Sequence, residues 1–131
     1  MGDVPLKNKL RNITVRKQSF VYWYLSGKDF VLNITPKEDK TAKVALVFNG
    51  VAPDDDPIMF WAFYEIKALK DNTETLICLT RPKIIAEIIS FLLDNTDNPF
   101  KKGHTNVLND AMILLNKMGY TDLNPIWIRE W

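Results

Sequence analysis

Phe20-Val21-Tyr22-Trp23-Tyr24-Leu25, the four residues Ser26-Gly27-Lys28-Asp29, and Phe30-Val31-Leu32-Asn33-Ile34-Thr35 decide the fold. Both runs are rich in β-branched and aromatic residues and are separated by turn formers, which predicts two strands. A connection this short joins antiparallel neighbours, because a parallel crossover needs a dozen or more residues. Upstream, 13–15 reads as a strand turned by 16–19; downstream, turn 36–40 leads to a strand at 41–48. The segment 49–57, with Asn49-Gly50, two prolines and Asp54-Asp55-Asp56, reads as an exposed loop. Strands are expected again at 58–69 and 75–79. The β-rich part, 10–79, is thus an antiparallel meander of about five to six strands.

The period changes at Thr80, an expected helix cap followed by Pro82 in the first turn. Ile84, Ile85, Ile88, Ile89, Leu92 and Leu93 then fall on one helical stripe. A second helix is expected from a cap at Thr105, with Val107, Leu108, Ala111, Met112, Leu115 and Met118 inward and Gly119 as its left-handed stop. Strands first and helices last over 10–79 and 80–119 give an α+β domain with two C-terminal helices on one face of the sheet, in one domain spanning 1–131. The tail 120–131 is too apolar to hang free, so it is expected to dock against the sheet or across a dimer interface.

The chain has 131 residues, 47% of them hydrophobic, with 17 basic and 16 acidic side chains. That is enough to bury a core without disulfides. The lone cysteine, Cys78, sits in the apolar run Leu76-Ile77-Cys78-Leu79, which reads as core, and suggests a reducing compartment. No run is long enough for a signal peptide or membrane span, so a cytoplasmic protein that does not engage membrane is expected. Residues 1–28 hold six basic groups against one acid, a local +5, leaving −4 for the remainder.

Catalytic and metal motifs fail one by one. His104 is the one histidine, and a lone His with a lone Cys excludes zinc spacings. The aspartates at 54–56 and the stretch 94–98 lack the alternation of a calcium loop. Five scattered glycines exclude a phosphate-cradling loop. No metal or cofactor is therefore expected, and an enzyme is the less favoured class. Glu65 is the one acid inside the aromatic strand; acid or base work there would need a second convergent group, and without one Glu65 is expected to face solvent near the strand end.

Ile13-Thr14-Val15 followed by Phe20-Val21-Tyr22-Trp23, with Leu79-Thr80-Arg81-Pro82 opening an Ile-rich helix, resembles a pattern in short, uncharacterised bacterial α+β proteins. The resemblance spans about residues 11–94 and implies no activity.

Function is approached through the faces of the strands. Phe20, Tyr22 and Tyr24 oppose Val21, Trp23 and Leu25, and both sets are apolar, as they are along 58–66. Two helices cover one face, so the tail, a second subunit or a partner must meet the other. The leading expectation is a protein-interaction or accessory module, with itself as a homodimer or with another protein, through Trp23, Trp61, Phe63, Trp127 and Trp131. The alternative is a single-stranded nucleic-acid binder, with Lys7, Lys9, Arg11, Arg16 and Lys17 tracking phosphates and Tyr22 stacking on bases. A third reading is a small enzyme or ligand-binding protein with a pocket near Glu65.

Overall fold

The computed structural model describes residues 10–25, 29–49 and 59–129, without the side chains of 59, 60, 62, 63, 128 and 129. Lys7, Lys9, the Asp54–Asp56 run, the Phe63 side chain and Trp131 thus lie outside the described residues. The element order is β1 (Arg11–Val15), β2 (Gln18–Leu25), β3 (Phe30–Pro36), β4 (Lys43–Phe48), β5 (Met59–Lys70), β6 (Thr73–Cys78), α1 (Pro82–Asn95), β7 (Thr105–Leu108), α2 (Ala111–Lys117) and β8 (Tyr120–Arg129). The class is α+β, with the meander leading and both helices following it.

The strands form two sheets, five-stranded in the order β1-β2-β3-β4-β7 and three-stranded in the order β6-β5-β8. The meander β1–β4 is antiparallel throughout. Its first turn is closed by Arg16 and Lys17, at φ 54° and 67°. Positive φ at both central residues is the type I′ geometry whose twist matches the flanking strands. Between β3 and β4, Asp39 accepts from the Thr41 N–H at 3.0 Å and from its hydroxyl at 2.5 Å. Those two bonds hold the Asp39 carboxyl below its ordinary pKa.

Inward from the first sheet, Phe20, Tyr22, Phe30, Leu32, Ile34, Val44, Leu46 and Phe48 are buried in one core with Ile66, Ile77, Ile85, Ile88, Ile89, Ala111 and Leu115. Phe30 bridges the sheets, its ring 4.7 Å from Tyr64 on β5 and 6.1 Å from Phe48 on β4. α1 packs against β1, and α2 against β4 and β8.

Three local expectations are corrected. α1 is capped at Arg81 rather than Thr80, without a side-chain cap, because Pro82 takes the first helical position. Residues 105–108 are the parallel strand β7 rather than helix: Lys43 N–H donates to the His104 carbonyl at 3.0 Å, and Val107 is 47% exposed. Asn109 and Asp110, turn formers that compete with helical bonding, separate that strand from α2. Cys78 is half-buried rather than core, because Ile77 and, just past the end of β6, Leu79 take the inward positions. Gly119 does stop α2 at φ +106°. The tail becomes β8, paired antiparallel with β5. No helix among the described residues is long and apolar enough to cross a membrane.

Candidate functional site

Register places the outward residues of the first sheet in rows. Trp23 pairs with Asn33, Asn33 with Ala45 and Ala45 with Val107; the next row runs Leu25, Val31 and Val47. Val21 pairs with Thr35 on the other side of the first row. Val21 and Ala45 are buried yet stand apart from the core cluster. Leu25 is 45% exposed. Lys43 brings a cation to this surface, its ammonium 5.9 Å from the centroid of Trp23. Asn33 and Thr35 are buried, and Thr35 Oγ1 has no hydrogen-bond partner among the described residues. An unpaired buried hydroxyl carries a desolvation cost of about 1–3 kcal/mol.

The tryptophans expected to share a partner surface are separated. Trp23 is half-buried on this outward face. Trp61 is 5% exposed in the core, where its Nε1 donates to the Glu65 carbonyl at 2.8 Å. Its ring meets Tyr64 edge-on at 5.6 Å and stacks at 6.0 Å on Trp127, which is partly buried. Trp61 and Trp127 thus fasten the second sheet to itself, since β8 brings one ring opposite the other in register.

Of the basic and aromatic set, Tyr22 points inward at 2% exposure, so its ring cannot offer a stacking face to a base. The correction follows from the pairing of Tyr22 with Ile34 on the inward side of β2 and β3. Burial raises the Tyr22 pKa despite nearby Arg11. The Arg11 guanidinium lies 5.9 Å over the Tyr24 ring. Arg16 Nη2 donates to Asp94 at 2.6 Å and to the Ser90 carbonyl at 3.5 Å, tying the first hairpin to the end of α1. That hydrogen bond raises the Arg16 pKa and lowers that of Asp94. Lys17 is exposed in the turn.

Glu65 is opposite Cys78, whose Sγ donates to Glu65 Oε2 at 3.4 Å. Burial, then the Glu65 carboxylate, pushes the thiol pKa up, the reverse of what a nucleophile needs. A recess of about 250 Å³ lies between β6 and α1, lined by Leu76, Cys78, Arg81, Lys83, Glu87 and Tyr120 among others. Glu87 is taken up by the Tyr120 hydroxyl at 2.9 Å and Lys70 at 4.0 Å. Burial and then that carboxylate push the Tyr120 pKa up to about 12. Tyr64 beside Glu65 has φ +55° where β5 slips register between Trp61 and Ile66. His104 is exposed, and no cluster of metal-ligating residues exists among the described residues.

Comparisons with family models, with curated proteins and with solved structures each return no match.

Proposed function

We propose that the protein is a small protein-binding module whose working surface is the outward face of the five-stranded sheet. One observation carries the reading: Trp23, Leu25, Val31, Val47 and Val107 form rows of apolar side chains that belong to no part of the core. A contiguous apolar surface on a folded domain marks an interaction site. Lys43 on Trp23 gives the partner one cationic anchor, and Thr35 one unmet hydroxyl. The single half-buried thiol fits a reducing, cytoplasmic setting.

A photocrosslinking residue at Val31, expressed in the native cell, is expected to give a discrete protein adduct. The same residue at Lys37, exposed beyond the end of β3, is the control. Equal labelling at both positions, or none at Val31, would remove the reading.

A further inference from the structure

The three-stranded sheet ends at β6, whose outer edge pairs with no strand among the described residues. The direction of the backbone groups on that edge follows from the register. Asp71 and Asn72, at φ 53° and 63°, form a two-residue turn joining Lys70 to Thr73. Such a hairpin closes on a hydrogen-bonded pair, so bonded pairs recur at Ala68 with Thr75 and Ile66 with Ile77. The bond from Leu79 N–H to the Tyr64 carbonyl, 3.2 Å, falls on the same alternation. Glu74, Leu76 and Cys78 therefore turn their N–H and C=O groups to the open edge. Leu76 also leaves its side chain 49% exposed.

We propose that β6 pairs antiparallel with β6 of a second copy, about a two-fold axis through Leu76, so that two three-stranded sheets become one continuous sheet. In this register Leu76 exchanges both backbone bonds with the partner's Leu76, and Cys78 N–H donates to the carbonyl of the partner's Glu74. The two exposed leucine side chains then cover each other. Charge selects a second copy as the occupant. Glu74 is exposed near the start of the strand, Arg81 is exposed just past its end, and neither belongs to an ion pair among the described residues. A strand edge with an acid at one end and a base at the other is its own antiparallel complement. An axis through Glu74 would oppose two carboxylates, and one through Cys78 would run the strands into the turn where Arg81 N–H bonds the Cys78 carbonyl. The inference is independent of the outward face of the first sheet, which lies on other strands.

An edge-to-edge interface is small, so the full chain is tested at ~0.5 mM by sedimentation equilibrium. A dimer is expected. Leu76→Pro removes an outward N–H while leaving the β5 bonds, and is expected to abolish it. Should that variant unfold, Glu74→Arg sets like charges together and is expected to weaken association at least tenfold, with Glu74→Arg/Arg81→Glu restoring it. Glu74→Cys is expected to crosslink to the partner's Cys78 on mild oxidation, since hydrogen-bonded pairs lie ~5.5 Å apart between Cα atoms. A monomer at this concentration, a dimer indifferent to the charge reversals, or a dimer lost on Val31→Lys instead would overturn the proposal.

Discussion

The two sheets of this chain solve the same problem in opposite ways. In the first, β1 to β4 are chain neighbours joined by short turns, and their outward face carries an apolar patch of Trp23, Leu25, Val31 and Val47. In the second, β5 holds β6 by a two-residue turn but takes its other neighbour, β8, from beyond both helices; outward, this sheet shows Glu65, Lys67 and Asn124 beside the exposed Leu76 at its β6 edge. Four of the first sheet's five strands are assembled locally, with β7 added from beyond α1, whereas the second sheet needs the chain's last described strand to close. Exposed apolar side chains gathered in a patch, unlike single ones, are costly unless something uses them.

Deleting 123–131 strikes at the long-range half of this contrast. It removes most of β8 and strips Trp127 from Trp61, and a loss above about 5 kcal/mol is expected, comparable to the whole stability of many domains. Thermal melting checks it. A truncated chain that kept its transition would mean that β5 needs only β6, and that the two sheets are independent units.

At the hinge of the contrast, Trp61→Phe keeps much of the ring but leaves the Glu65 carbonyl at the register slip without its donor. A loss of about 1–3 kcal/mol in urea unfolding is expected. A change below a few tenths would show that the slip in β5 is held by its strands alone. Tyr120 tests the same sheet through pH. Its folded pKa is raised from 10.0 to about 12, so its neutral form contributes stability that is complete below pH 10 and is lost as pH rises toward 12. Tyr120→Phe should flatten that part of the alkaline unfolding curve; an unchanged curve would break the link to Glu87.

The smallest effect belongs to the first sheet. Thr35→Val replaces the unpaired Oγ1 by a methyl of similar shape and is expected to stabilise the free protein by about 1 kcal/mol. A loss of stability instead would mean that the hydroxyl is satisfied in the folded monomer and that this face is closed.

The sequence reveals the local sheet more readily than the long-range one. Alternation along Phe20–Leu25 and Phe30–Thr35 identifies the strands and their two faces, and so the apolar outward surface around Trp23. Which face turns inward is another matter: Tyr22 and Trp23 differ little in character, and the choice is made by Tyr64, which reaches Phe30 from a distant strand. Leu76-Ile77-Cys78-Leu79 is apolar on both parities, so periodicity alone leaves open whether Cys78 or Ile77 is inside. Val107 and Leu108 fit a helical stripe with Met112 and Leu115 as well as they fit a strand. The parallel ladder on β4 outweighs that propensity, and nothing within 105–108 announces it.

The pairing of Lys70 with Tyr120 and of Met59 with Arg129 also orders events in time. A ribosome delivers the meander of the first sheet as contiguous hairpins, whose loop-closure entropy is small, well before it delivers β8. Until then β5 has one neighbour, and its other edge is open to any extended chain nearby. Folding is thus expected to proceed from a quickly formed amino-terminal meander to a slower closing step, the arrival of β8, in which the nascent chain is most exposed to misassociation.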